Sequence, residues 1–335
     1  SSSSAASDVY KRQLLFILFQ VIFVPVLVMS LIYYGPFKAV REMLVTTAMN
    51  TMTHQYFATM FLDQEEIDEI IARNRPSEEI GNQDLNDIKI SDAVDNGIEL
   101  IDVSSSSFKG YLLIVNDPSR VKLATAPRLG TVGATTSQIV EANDAIGGIN
   151  GGGFKDDALG TGGKPDGLLM QDGKLINGYE YSSYKVVGLD YDNKLIVSNS
   201  TSYSALKKLN VRDAVSFGPV IVINGQPTIY SGTGGYGIHP RSAIGQRKDG
   251  AILMLVIDGR QVDSLGATLK NVQDIMLQYG AYNAFNLDGG ASSTLVYNNK
   301  VVNHPSDIMG ERYVPCAFII LSLIHILTLP TKRIV

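Results

Sequence analysis

The sequence predicts an α+β fold: a β-rich mixed sheet with one strand–helix–strand crossover and few helices, preceded by one transmembrane helix. Three observations carry this expectation. Asp172-Gly173, Asp192-Asn193, Asn224-Gly225, Asp249-Gly250 and Asn298-Asn299 each separate apolar or β-branched runs, and such dipeptides favour the positive φ of hairpin turns. Two apolar runs, 251–257 and 281–287, bracket a segment in which Leu269, Val272, Met276 and Tyr279 recur at steps of three and four, the spacing of one helix face. Residues 14–34 run for 21 positions without a formal charge, enough as a helix to cross the roughly 30 Å of a bilayer core.

Composition bounds the rest. The chain has 335 residues, 45% hydrophobic and 18% charged, with a net charge of −5, which suits one large domain or two small ones. An acidic balance without a long basic run in the soluble part argues against nucleic-acid binding. Cys316 is the only cysteine, so an intrachain disulfide and a thiolate metal cluster are excluded. Lying in the apolar run 314–321, it reads as a buried, inert thiol.

Taken in order, residues 1–13 read as a cytoplasmic or non-native tail and 14–34 as a membrane anchor. Lys11 and Arg12 ahead of the anchor favour a cytoplasmic N-terminus, with everything after the span outside. A cleaved signal peptide is the alternative, though its apolar region would be unusually long and no small-x-small site follows closely. Pro25 is tolerated inside a membrane helix. Residues 35–107 read as a stalk with one short amphipathic helix, opened by Asp63 and Glu66 in capping-box spacing ahead of Ile67, Ile70 and Ile71. The serines 104–107 mark its end as a linker. The folded domain is expected over 108–321, with strands at 111–115 and 121–124 divided by the turn Asp117-Pro118-Ser119. Its helices are expected at 137–143 and 268–279, the second with Thr268 as N-cap and Gly280 as stop. Residues 322–335 form a further, possibly non-native tail.

The chemistry concentrates between Arg241 and Thr294. The first apolar run ends in Asp258-Gly259-Arg260 and the second in Asp288-Gly289-Gly290. A right-handed crossover between parallel strands places both carboxylates on one sheet edge, where ligands bind. If the strands are neighbours, about 4.8 Å apart, the acids stand roughly 5–9 Å apart, within the range glycoside hydrolases use. The bland alternative is that each aspartate merely caps a turn before glycine. His239-Pro240-Arg241 precedes the pair, and an arginine fork suits phosphate or carboxylate; alone it would read as a surface ion pair. Asn150-Gly151-Gly152-Gly153-Phe154 follows a short apolar run and reads as a site loop whose backbone N–H groups form an anion nest, or else as a mobile loop. The stretch from Gly232 to Gly237 matches G-x-G-x-x-G but runs into His239-Pro240 instead of a helix, so it supports no nucleotide site. The four histidines, His54, His239, His304 and His325, are scattered, which argues against a histidine-based zinc site.

With Asn150-Gly151-Gly152-Gly153-Phe154, His239-Pro240-Arg241-Ser242-Ala243, Asp258-Gly259-Arg260 and Asn286 through Thr294 in one order, the sequence over 111–320 resembles the phosphodiester glycosidases. Phe217-Gly218-Pro219 and Pro305-Ser306-Asp307 fall where that family has similar signatures. Two departures are Gly153, where many members carry Phe, and Ala291, which replaces a third glycine. The resemblance implies a hydrolase that cleaves a sugar-1-phosphodiester between the anomeric carbon and the phosphate oxygen. Asp288 and Asp258 are the expected nucleophile or base and its partner, in an order that spacing leaves open, and Arg241 the phosphate clamp. Asn150, Gly151, Gly152, Gly153, His239, Arg260, Gly289, Gly290, Ser292 and Ser293 are the expected substrate contacts. No cofactor is expected and no metal is assigned. The membrane-anchored layout points to a phosphorylated glycan or cell-envelope polymer, such as an exopolysaccharide. A non-catalytic glycan-binding module and a metal-dependent phosphodiesterase that cuts the P–O bond are the competing classes.

Overall fold

The computed structural model describes residues 2–51, 54–78, 80–91, 95–155 and 160–323, with the backbone alone for 2–7. Most of the expected C-terminal tail, 324–335, therefore lies outside the described residues. The chain divides into two compact units, Ser1–Arg73 and Asn74–Val335.

The first unit opens with a helix over Ser2–Tyr34. Within it, Asp8–Tyr34 contains an 18-residue window with a mean hydropathy of 2.8 and is the one stretch among the described residues long and apolar enough to cross a membrane. Helices at Lys38–Met49, Tyr56–Thr59 and Gln64–Asn74 follow. Asp63 caps the last of these by accepting from the Glu66 N–H at 2.8 Å. Ile67 and Ile70 are buried with Tyr33, Val45, Ala48, Ala58 and Leu62. The expected stalk is thus a small helical cluster up to Arg73, because its short amphipathic helices bury their apolar faces against one another.

The second unit begins well before Phe108. Gln83 donates to the Leu195 carbonyl at 2.6 Å and accepts from the Val197 N–H at 2.9 Å. Ile98–Asp102 then pairs antiparallel with Gly110–Val115 as a sheet edge. The serines between them are not a linker but a turn, with the Ser104 N–H on the Asp102 carboxylate at 2.8 Å and the Ser105 N–H on the Phe108 carbonyl at 2.8 Å. An edge strand with one face in water carries too few apolar residues to stand out in sequence.

Three sheets form this unit, giving the expected β-rich fold with few helices; among the described residues every strand pair is antiparallel, which corrects only the parallel pairing expected within a mixed sheet. The largest has seven strands in the order Ile98–Asp102, Gly110–Val115, Ile252–Ile257, Arg241–Arg247, Ala281–Asn286, Val220–Ile223 and Gln226–Pro227. The crossover strands run parallel to each other but are not neighbours. Arg241–Arg247 lies between them, with Ala243 opposite Leu255 on one side and Asn286 on the other. The two strand ends are therefore about 10 Å apart, two strand spacings and not one.

Both faces of this sheet are covered, which is why its strands read as continuous apolar runs. Ile252, Met254 and Val256 join a core shared by all three sheets, with Ile149 and Phe318 from the second and Val187 and Val215 from the third. Leu253, Leu255 and Ile257 pack instead with Leu269, Val272 and Met276 of the helix Leu269–Gln278. That helix starts from a capping box between Thr268 and Asn271. The expected helix near 137–143 is found at Thr136–Ala142 and covers the second sheet through Ile139 and Val140. All five turn dipeptides carry at least one residue at positive φ and join paired strands. Cys316 is buried, and burial pushes its thiol up to about 12.

Candidate active site

A cleft of about 520 Å³ opens where the ends of strands from the three sheets meet. Two carboxylates (Asp166, Asp288), two guanidinium groups (Arg260, Arg312), two aromatic rings (Phe154, Phe217) and two serines (Ser216, Ser292) line it, with the backbone of Gly153, Gly167, Gly289 and Gly290.

Asp288 stands two residues beyond the end of the strand Ala281–Asn286. Its carbonyl accepts from the Asn150 side-chain amide at 2.7 Å and its N–H donates to the Gly151 carbonyl at 3.2 Å. Asn150 is fully buried, and its Oδ1 accepts from the Ser242 hydroxyl at 2.7 Å and the Thr294 N–H at 3.1 Å. The buried amide thus uses both its oxygen and its nitrogen within the protein and holds the Asp288 carbonyl in place.

The glycines after Asn150 serve close packing. A Cβ on Gly151 would stand 2.7 Å from the Cys316 sulfur, and one on Gly152 2.7 Å from the Ser216 carbonyl oxygen. The Gly151 N–H donates to the Cys316 carbonyl at 3.0 Å and the Gly153 N–H to the Ser216 carbonyl at 3.1 Å. The expected anion nest is therefore corrected, since its donors are already used; of the three glycines only Gly153 lines the cleft.

Arg241 is also placed differently from expectation. Its guanidinium is buried, with Nε on the Ala267 carbonyl at 3.0 Å and Nη2 on the carbonyls of Tyr236 and Gly237 at 2.9 and 2.7 Å. Desolvation brings its pKa down to about 10. It braces the glycine-rich loop before His239 and is absent from the cleft wall. Asp258 is likewise buried, accepting from the Asn303 amide at 2.8 Å and from the His304 N–H at 3.0 and 3.1 Å. Burial raises its pKa, and these hydrogen bonds oppose the rise. It holds the 303–304 segment and does not face Asp288 across the cleft. His239 is desolvated and near the charges of Arg241 and Arg260, which together depress its pKa to about 3. It is a neutral imidazole whose buried Nε2 has no partner. Ser293 is buried, and its carbonyl accepts from the Asn303 amide at 3.0 Å.

Arg260 does reach the cleft. A Cβ on Gly290 would lie 3.3 Å from its Nη2, so the glycine, at φ +63, leaves room for the guanidinium. Desolvation and then the charge of Arg312 lower the Arg260 pKa. Arg312 stacks over the Phe154 ring, 5.1 Å from its centroid. Of the residues expected from sequence, Asp288, Arg260, Gly153, Gly289, Gly290 and Ser292 meet at the cleft. Arg241, Asp258, Asn150, Gly151, Gly152, His239 and Ser293 do not line it. Asp166, Arg312, Phe154 and Phe217 were not anticipated there. Asp166-Gly167 shares the Asp-Gly dipeptide but opens an apolar run instead of ending one, and Phe154 and Phe217 sit inside motifs already singled out; Arg312 has no local signal.

A family model described as phosphodiester glycosidase matches residues 143–321, a span that holds every residue lining the cleft. The chain belongs to the phosphodiester glycosidase family. A prophage-derived uncharacterized protein of Bacillus subtilis is 31% identical over 167 residues, covering 48% of this chain and 25% of that protein. The N-acetylglucosamine-1-phosphodiester alpha-N-acetylglucosaminidase of Bos taurus is 34% identical over 79 residues, 24% of this chain and 15% of that enzyme. The chain thus spans no more than a quarter of the length of these relatives. In structure, the chain is similar to the catalytic domain of zebrafish N-acetylglucosamine-1-phosphodiester alpha-N-acetylglucosaminidase, auto-inhibited by its pro-peptide. The TM-score is 0.56 at 22% identity, over 70% of this chain and 86% of that one. A crystal structure from Burkholderia pseudomallei K96243 gives a TM-score of 0.50 at 18% identity, over 64% of this chain and 74% of that one. These structural likenesses concern the fold.

Proposed function

We propose that this phosphodiester glycosidase hydrolyses a sugar-1-phosphodiester to free sugar and a phosphomonoester. The observation that carries the reading is Asp288, pinned by Asn150 to the wall of a cleft that also holds Arg260 and Arg312. A phosphodiester carries one negative charge at neutral pH, and paired guanidinium forks match its oxygens. Arg260 and Arg312 take the clamping role that sequence had given to Arg241. Asp288 acts as nucleophile or as the base that activates water, and Asp166 is the second carboxylate in place of Asp258. The bond between the anomeric carbon and the phosphate oxygen breaks, its electron pair staying on the phosphate. Water supplies the oxygen that ends on the sugar and the proton that the phosphomonoester or solvent takes up. A phosphate is a good leaving group, so stabilising the oxocarbenium-like transition state and the phosphate charge matters more than strong acid help. Phe154 and Phe217 offer apolar faces to the sugar ring.

The N-terminal apolar helix supports a membrane anchor with the cleft outside the cytoplasm, a signal sequence being the other use of such a helix. A phosphorylated envelope glycan or exopolysaccharide is then the substrate within reach. The test is the detergent-solubilised chain with methyl N-acetylglucosamine-1-phosphate in water enriched in heavy oxygen. Free sugar carrying the label is expected, and Asp288→Asn should lower the rate at least about 10³-fold. Label on the phosphate would assign P–O cleavage instead, and saturable binding without product would make the chain a glycan-binding module. Ordinary turnover by Asp288→Asn would remove Asp288 from the mechanism.

A further inference from the structure

We infer that the cleft takes a glycosyl phospholipid, a sugar-1-phosphodiester whose aglycone is a hydrocarbon chain, and that Val262, Leu265, Ile308 and Met309 form the rim that receives the chain. The inference rests on the phosphodiester glycosidase reading above and names its substrate class.

Single apolar residues on a surface are ordinary and need no explanation. These four differ in place and degree. Val262, Ile308 and Met309 are 104%, 101% and 90% exposed, and Leu265 is 59% exposed. Three of them sit at the tips of two tight turns, where glycine, asparagine and aspartate are the usual occupants. In the first turn Gln261 and Ser264 exchange backbone hydrogen bonds at 2.9 and 3.3 Å, leaving Val262 at the tip. In the second the Gly310 N–H donates to the Asp307 carbonyl at 3.0 Å, leaving Ile308 and Met309 at the tip. The first turn is tied to the segment leading into the second, since the Gln261 amide donates to the His304 carbonyl at 2.7 Å.

Each turn adjoins one of the two guanidinium groups of the cleft. Arg260 immediately precedes the first turn and Arg312 follows the second by two residues. The four apolar residues lie outside the cleft's own lining, on the two segments that carry its arginines into it, and this adjacency along the chain suits a ligand in which a hydrocarbon follows a phosphate. The charge complementarity lies between the arginines and the linking phosphate. Asp263, Asp307 and Glu311 on the same segments would oppose adsorption to an anionic bilayer. That favours a hydrocarbon chain belonging to the substrate over a general lipid surface. Hydrocarbon seated on these side chains leaves water, and each methylene so buried contributes to binding.

The experiment uses the full chain in detergent below the level that sequesters substrate, with N-acetylglucosamine-1-phosphodiesters bearing methyl, octyl and dodecyl aglycones. The variant is the triple Val262→Ser/Ile308→Ser/Met309→Ser, whose exposed positions leave the core untouched. For the unaltered chain kcat/KM should rise at least about tenfold from methyl to dodecyl. The triple variant should lose that gain while matching the unaltered chain on the methyl diester. A flat dependence on chain length, or the same gain in the variant, overturns the rim while leaving the hydrolase reading intact. If no diester is hydrolysed, the hydrolase reading fails, and dodecyl phosphate binding decides the rim. Affinity at least about tenfold above that of methyl phosphate, lost in the variant, supports it; equal affinities overturn it. A dimer that the triple variant abolishes would assign the patch to self-association and also overturn it.

Discussion

Replacing Arg241 separates a brace from a phosphate clamp. In Arg241→Met the side chain keeps much of its apolar length but loses donors to the Ala267, Gly237 and Tyr236 carbonyls. The bonds to Ala267 and Gly237 are buried; the Ala267 carbonyl keeps the His239 N–H at 3.2 Å, whereas the Gly237 carbonyl, left without a partner, costs about 1–3 kcal/mol. With the lost Ala267 bond the gross loss is about 2–4 kcal/mol, offset in part because a buried charge no longer has to be desolvated. A net loss of about 1–3 kcal/mol corresponds, at about 2–4 °C per kcal/mol for a unit of this size, to a Tm lowered by about 2–12 °C. Thermal unfolding followed by near-ultraviolet circular dichroism of the tyrosines reads it. Arg260→Met is the counterpart: its guanidinium lies at the cleft, so Tm should move by less than about 2 °C while kcat/KM falls about 10²–10³-fold. If Arg241→Met kept its Tm and instead raised KM for the phosphodiester, the guanidinium would be a ligand and the argument from its three carbonyls would be wrong.

Three further outcomes follow from the same packing. Gly151→Ala places a methyl 2.7 Å from the Cys316 sulfur and should destabilise by about 1–3 kcal/mol; chemical denaturation measures this, and Cys316→Ala in the same chain should recover part of the loss. Asn150→Ala frees the Asp288 carbonyl and should reduce kcat about 10–100-fold with little change in KM, since the amide uses its oxygen and its nitrogen within the protein; a selective rise in KM would contradict that placement. The His239 pKa, about 3 in the folded chain, lies below its ordinary 6.5. The unfolded state therefore takes up a proton first, and stability should fall as pH drops from about 6.5 towards 3, by on the order of 2 kcal/mol or more. His239→Gln should flatten that part of the stability–pH profile, measured by urea denaturation.

Much of the fold was legible because its signals are local. A capping box needs only Thr268 and Asn271, and a hairpin turn only its two central residues. Strand order is not local. Nothing in the run 241–247 announces that it inserts between 252–257 and 281–286, and that insertion doubles the spacing assumed for Asp258 and Asp288. Similarly, Asp258-Gly259 and Asp288-Gly289 share one signature, yet Asn303 and His304 close over the first aspartate while the second faces the cleft. Arg241 and Arg260 differ in the same way. Arg241 begins a strand flanked on both sides and meets three carbonyls, whereas Arg260 lies beyond a strand end, against a glycine. The motifs lead to the neighbourhood of the cleft, but which residue of each lines it depends on burial, and burial depends on segments distant in sequence.

Asn150 shows why the motifs occur together. It ends a strand of the second sheet, Ala145–Asn150, and reaches a hydroxyl on Arg241–Arg247, a backbone N–H at Thr294 and the carbonyl of Asp288. One buried amide thus joins the end of one sheet to two places on another. Gly151 and Gly152 are its consequence, since the chain leaving Asn150 must pass against Cys316 and Ser216 with no room for a side chain. A carboxylate carried on an isolated loop would sample positions several tenths of an ångström apart, and placement errors of that size weaken catalysis. Fixing the Asp288 backbone from two rigid strands removes that freedom. The asparagine, the glycines and the aspartate therefore form one device, in which a buried amide and close-packed backbone fix the position of the aspartate that lines the cleft.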